Sequence, residues 1–143
     1  MQEQGLRVQM GLQRQESVLG VLPEMQAFGE GDKEMIYLAC PYSHPLEGIR
    51  LARFRAANIA AARLMAEGHI VYSAISHTHP IAVENNLGLD WDYWRPADVY
   101  FIGLCDEMVV LKYPGWEESK GIDAEMRLAK SIGKKIRFME WTE

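Results

Sequence analysis

The chain has 143 residues, enough for one domain around a single core and too short for a second domain of ordinary size. Apolar residues make up 48% and charged residues 24%, the balance of a globular protein without a membrane span. A net charge of -5 and the lack of a basic stripe speak against DNA or RNA as a partner. They leave room for a small phosphorylated ligand, which needs only a few local donors.

Residues 1–34 differ from the rest. They are rich in Gln and Glu, poor in large apolar side chains, and carry Gly29 and Gly31 near their end. They read as a tail or arm with at most a short helix around Glu16–Leu22, or as the product of an upstream translation start, since Met35 opens the ordered pattern. No basic start followed by a long apolar block is present, so the chain is expected to be cytoplasmic.

From Met35 onward, strand and helix alternate. Met35–Cys40 is a short apolar run ended by Pro41, as expected of a buried parallel strand. Residues 48–67 have apolar residues at helical spacing and are stopped by Gly68. His69–Ser73 reads as a second strand, and residues 74–90, with two histidines and Gly88, as a loop. Pro96 suits the first turn of a helix running to about Cys105. Glu107–Lys112 is the third strand, residues 113–118 are a loop, and Ser119–Ile132 is a helix closed by Gly133. Lys135–Met139 is the last strand.

Units of this length imply an α/β fold: a three-layer sandwich with a parallel, flavodoxin-like or Rossmann-like sheet of about four to five strands. Ligands of such sheets bind beyond the carboxyl ends of the strands, which directs attention to loops 41–47, 74–90 and 113–119. Cys40 and Cys105 have no paired spacing and read as buried small apolar residues.

One residue breaks the pattern of the last helix. At 3.6 residues per turn, Ile122, Met126, Ala129 and Ile132 form an apolar stripe, and Glu125 lies inside it. A buried carboxylate costs several kcal/mol unless it is paired or hydrogen-bonded, so Glu125 is either half of a structural salt bridge or a working acid. Ser119 is a plausible N-cap with Gly121 in the first turn, and free N–H groups at that helix end suit a phosphate. Glu117 and Glu118 beside it would repel an anion unless they face water.

Asp98, placed at the edge of the set Ala97, Phe101 and Leu104, is either a functional acid or a carboxylate that stabilises the helix dipole. His44, His69 and the run His77–Thr78–His79 raise metal ligation, but no acidic third ligand has ligand-like spacing, and no metal is expected. Trp91, Trp94 and Trp116 could stack on a base or pack under loops. No GxGxxG or P-loop pattern occurs, and no cofactor is expected.

Three segments carry a family resemblance. IYLACPYS, WRPADVYFIGLCDEMVVL and PGWEESKGIDAEMRLAKSIGKKI together resemble the nucleoside 2-deoxyribosyltransferase superfamily, within it a branch of bacterial and phage proteins of about this size. The resemblance spans Met35 to about Met139. It implies a domain over residues 35–143 that cleaves the N-glycosidic bond of a nucleoside or nucleotide, and a homo-oligomer.

By position, the resemblance puts the nucleophilic glutamate on Glu125, its orienting tyrosine on Tyr37 and the base-assisting aspartate on Asp98. Substrate contacts fall on Ser119 and Gly121, and on the turn Cys40, Pro41 and Tyr42. Base-exchanging members usually carry an aspartate where this chain has Ser119. A serine there resembles the 2'-deoxynucleoside 5'-phosphate N-hydrolases, in which it contacts the phosphate. The first loop, residues 41–45, departs from the family's glycine-rich turn, and loop 74–90 has no assigned counterpart. A non-catalytic nucleotide-binding module and a metal-dependent hydrolase using the histidines are the alternatives.

Overall fold

The computed structural model describes residues 34–143; the tail expected over residues 1–34 lies, but for Glu34, outside the described residues. Four parallel strands, β1 (Met35–Ala39), β2 (Ile70–Ser73), β3 (Glu107–Lys112) and β4 (Lys135–Glu140), form a sheet in the order β2-β1-β3-β4. Helix α1 (Glu47–Ala66) joins β1 to β2. Helices α2 (Ala74–Asn85) and α3 (Trp91–Leu104) join β2 to β3, and α4 (Lys120–Ser131) joins β3 to β4.

β1 and β3 are central and buried on both faces, which is why they read as unbroken apolar runs. On one face Ile36, Leu38, Val109 and Leu111 meet Ala56, Ala57, Ala60, Ala61 and Leu64 of α1; the run of alanines lets that helix approach closely. On the other, Tyr37, Ala39, Met108 and Val110 meet Ile102 of α3 and Ile122 and Ala129 of α4. Helices thus cover both faces of the sheet, as expected of this α/β class.

The predicted stops hold. Gly133 takes φ 75°, and the amides of Gly133 and Lys134 donate to the carbonyls of Lys130 and Ala129, a Schellman closure of α4 that Gly68 repeats for α1. Cys40 and Cys105 are buried free thiols.

Three expectations are corrected. Residues 74–85 are helical and not part of a loop, although Pro80 removes one backbone donor inside α2. Ala74, Thr78 and Ala82 recur at four-residue spacing and are buried, so packing outweighs the break.

Helix α3 begins at Trp91, five residues before Pro96, because Asp90 caps it: its Oδ1 accepts from the Tyr93 amide at 2.9 Å. Asp98 therefore lies beyond the first turn and on the buried stripe with Ile102 and Cys105, whereas Leu104 is exposed. Ile132, assigned to the apolar stripe of α4, is the exposed C-cap residue of that helix.

Candidate active site

The strand order runs outward from β1 in both directions, to β2 on one side and to β3 on the other. Chains leaving the carboxyl ends of β1 and β3 therefore part and leave a crevice between them. A cleft with about 420 Å³ of empty space opens there. Of the residues singled out in the sequence, Cys40, Tyr42, Asp98, Ser119, Gly121 and Glu125 line it. Tyr37 is fully buried among the core residues of β1 and reaches the two acids from there. Pro41, expected in the sequence beside Cys40 and Tyr42 as a substrate contact, is fully buried and does not line the cleft: it packs inward after the end of β1.

Glu125 is 7% exposed and forms no ion pair among the described residues. Glu107 offers the contrast. It is equally buried, but Arg137 holds both of its oxygens, at 2.7 and 3.0 Å. Glu107 is thus the structural salt bridge that the sequence left open for Glu125, and Glu125 is an acid without a cation.

The Glu125 pKa is raised to about 8, chiefly by burial, with the Tyr37 hydroxyl opposing the rise and Asp98 adding a smaller part of it. Asp98, also 7% exposed, is raised by burial to about 6, and Tyr37 again works the other way. One phenol therefore serves two carboxyls. Tyr37 itself is held well above its ordinary pKa by burial, then by Glu125 and Asp98, so it remains a neutral donor.

The hydroxyl of Tyr37 influences both acids without reaching a well-formed hydrogen bond with either. It, Asp98 Oδ1 and the hydroxyl of Tyr72 are buried and without partners among the described residues. Buried polar groups are as a rule hydrogen-bonded, so three unpartnered ones around one cleft call for an explanation. Tyr72 was missed in the sequence. It stands beside Tyr37 in the β1–β2 register, with ring centroids 5.6 Å apart, and stacks on Phe101 at 4.2 Å. Cys40 also borders the acids, and burial pushes its thiol up to about 12, which leaves it a neutral wall and not a nucleophile.

Ser119 caps α4 as expected: its Oγ accepts from the Ile122 amide at 3.2 Å. Gly121 lies between the cap and the acid. A Cβ there would sit 3.7 Å from Glu125 Oε1 and 3.8 Å from Ser119 Oγ, filling part of the space that joins them.

An outer cleft with about 1180 Å³ of empty space adjoins this point, and Arg53, Ser119, Lys120 and Gly121 border it. Glu117 is exposed and outside both clefts, whereas Glu118 borders the outer one with Asp90 and Asp92, so the outer cleft is not uniformly basic.

Arg53 was the second omission. Its Nη1 donates to the carbonyls of Tyr42 (3.3 Å) and Ser43 (2.8 Å), and its guanidinium packs on Gly115. Gly115 has φ 98°, a backbone conformation that favours glycine, and a Cβ there would displace the Arg53 guanidinium. One side chain thereby braces the loops that follow β1 and β3. The signal was present: Arg53 continues the buried stripe Ala57, Ala60 and Leu64 of α1, as Glu125 does that of α4.

Trp91 and Trp94 line the cleft, with Trp94 Nε1 donating to the Gly88 carbonyl at 2.6 Å, while Trp116 packs against Phe138. The histidines go separate ways. His79 is buried, His77 is exposed, and His44 at the outer cleft accepts from the Leu46 amide. Among the described residues no three His, Cys, Asp or Glu side chains gather in a way that could hold a metal ion. No described helix is long and apolar enough to cross a membrane.

Two neighbouring carboxyls with raised and unequal pKa values, a shared phenol and a walled cleft suit acid–base or nucleophilic work on a small molecule. Comparison with the curated proteins finds no match. The family described as "Domain of unknown function (DUF1937)" matches residues 34–141, nearly the whole described region, and the chain belongs to that family.

Proposed function

We propose that the chain is an enzyme that cleaves the N-glycosidic bond of a nucleoside or nucleoside 5'-monophosphate, by hydrolysis or base exchange. The observation that carries this reading is the pair Glu125 and Asp98: two buried, cation-free carboxyls served by one phenol, on the cleft at the strand crossover.

In the first step the Glu125 carboxylate attacks C1' of the sugar as the C1'–N bond breaks. The bond's electron pair goes to the base nitrogen, and Asp98 supplies the proton. The transition state is oxocarbenium-like, the logic of retaining glycosidases applied to nitrogen. Water, deprotonated by the Asp98 carboxylate, then attacks C1' and releases Glu125; a second base in place of water gives exchange. Tyr37 orients both carboxyls.

The acidities of the free protein run against these roles. Burial raises Glu125, to about 8, further than it raises Asp98, to about 6, so a proton shared by the pair prefers Glu125. A sugar hydroxyl that donates to Glu125 would favour its carboxylate and restore the productive order. kcat/KM, which reports the acidities of the free protein, should peak between about pH 6 and pH 8.

The 5'-phosphate belongs to the same proposal. Ser119 caps a helix whose start, Ser119 and Gly121, lines both clefts, and Arg53 and Lys120 add positive charge to the outer one against Glu118. Trp91 and Trp94 would border the base. Association into a homo-oligomer is likewise proposed from the family resemblance, and sedimentation reads it directly.

The test incubates the protein with a panel of deoxynucleosides and deoxynucleoside 5'-monophosphates and measures free base by chromatography. Base release is expected, with Glu125→Ala slower by at least about 10³-fold. Full activity of Glu125→Ala on a good substrate would overturn the mechanism.

A further inference from the structure

The run His77–Thr78–His79 takes no part in the chemistry above, yet helix α2 places its members unequally. His77 is exposed, Thr78 lines the cleft, and His79 is buried beside Tyr42, each of that pair being 8% exposed. The Tyr42 hydroxyl and His79 Nδ1 are hydrogen-bonded at 2.5 Å, with the rings edge to face at 5.4 Å. The imidazole also stacks on Phe54 of α1, centroids 4.3 Å apart and planes within 25°.

The surroundings keep both partners neutral. Burial, then Arg50 of α1, pushes the His79 imidazole toward its neutral form; Glu47, nearly one turn earlier on the same helix, opposes them more weakly. Burial likewise keeps the Tyr42 phenol un-ionised, although Arg50 also acts on it in the other direction. With a neutral imidazole and an intact phenol the two share one hydrogen bond, its donor set by the tautomer of the imidazole.

Tyr42 lines the cleft, and its carbonyl is one of the two that Arg53 grips. The residue is therefore fixed at both ends, by Arg53 at the backbone and by His79 at the hydroxyl. A side chain immobilised before a ligand arrives loses no rotamer freedom when the ligand packs on it.

We propose that His79 is a positioning residue: through Nδ1 it holds the Tyr42 ring as a fixed wall for the nucleotide in the cleft. The proposal rests on the nucleotide reading of the cleft. The phenol oxygen can donate to Nδ1 or accept from it, so the tie does not depend on which of the two carries the shared proton.

The test measures binding of 2'-deoxyadenosine 5'-monophosphate by calorimetry, with the full chain carrying Glu125→Gln so that the probe is not consumed. Tyr42→Phe and His79→Leu should each weaken binding about two- to tenfold, the scale of one hydrogen bond, and the double variant should lose no more than either. His79→Gln, whose side-chain oxygen can accept from Tyr42, should bind as the parent does.

Tyr42→Phe deletes a single oxygen and carries the test if His79→Leu does not fold. Its ¹⁵N spectrum should show His79 Nδ1 shifted away from the hydrogen-bonded position. Equal binding by Tyr42→Phe and its parent, or losses that multiply in the double variant, would overturn the positioning role alone. No binding of the probe by either the Glu125→Gln or the unsubstituted chain would overturn the nucleotide reading itself.

Discussion

Glu125 and Glu107 are both buried glutamates on core-facing positions, and their difference is what a single side chain can say about function. Glu107 has Arg137; Glu125 has a phenol and a second acid. A carboxyl whose folded pKa stands at about 8, above its ordinary 4.5, binds its proton more tightly in the folded chain than in the unfolded one. Its contribution to stability is full below 4.5 and is lost as the pH rises through about 8.

Glu125→Gln removes that loss. Its stability relative to the parent should grow between about pH 5 and pH 9, by on the order of 1–3 kcal/mol, as read by thermal melts across the range. A constant difference between variant and parent at all pH values would mean that Glu125 is not titrating in a buried site. The same substitution is the one expected to abolish base release, so one residue should show stability and activity moving in opposite directions, as at sites held for function.

At the scale of elements, legibility followed the kind of signal each segment carries. β3 was readable to the residue because an edge-to-edge apolar run between polar flanks has one interpretation. The start of α4 was readable because Ser119 followed by a helical stripe is a local signature, and the side-chain cap is present. α2 was not readable. Its buried face is Ala74, Thr78, His79 and Ala82, polar or small residues around a proline, and only tertiary packing makes that face a core face. The start of α3 was misplaced because Pro96 is a stronger sequence mark than the Asp90 cap that begins the helix.

The site was legible where a charged residue interrupts an apolar stripe and illegible where it depends on proximity in space. Glu125 belongs to the first kind, and Arg53 does too, though its neighbours are alanines and the stripe is faint. Tyr72 belongs to the second, since only the register of β1 with β2 brings it beside Tyr37.

Ser119 allows the cap and the proposed ligand contact to be separated. Ser119→Ala should cost about 1 kcal/mol of stability through the lost cap. It should also raise KM for a nucleoside 5'-monophosphate while leaving KM for the matching nucleoside unchanged. An equal rise for both substrates would assign Ser119 to the helix alone.

For the whole molecule, the β2-β1-β3-β4 order is what turns separate residues into a site. Tyr37 comes from β1, Asp98 from α3 and Glu125 from α4, and they meet because the chain leaves β1 toward one edge and returns through β3 toward the other. Such a crevice binds ligands in enzymes and in binding modules alike, so architecture does not separate catalysis from sensing.

Time does. A ligand that binds only the folded state stabilises it by about 2.7 kcal/mol at a hundredfold excess over Kd, which is roughly 10 °C in Tm for a domain of this size. With a 5'-deoxynucleotide that the site accepts, the native chain and Glu125→Gln should both show that shift when mixed and melted at once. After prolonged incubation the shift of the native chain should decay as free base accumulates, while that of Glu125→Gln persists. Shifts that persist in both, with no base released, would make the cleft a nucleotide sensor in which Glu125 binds and does not react.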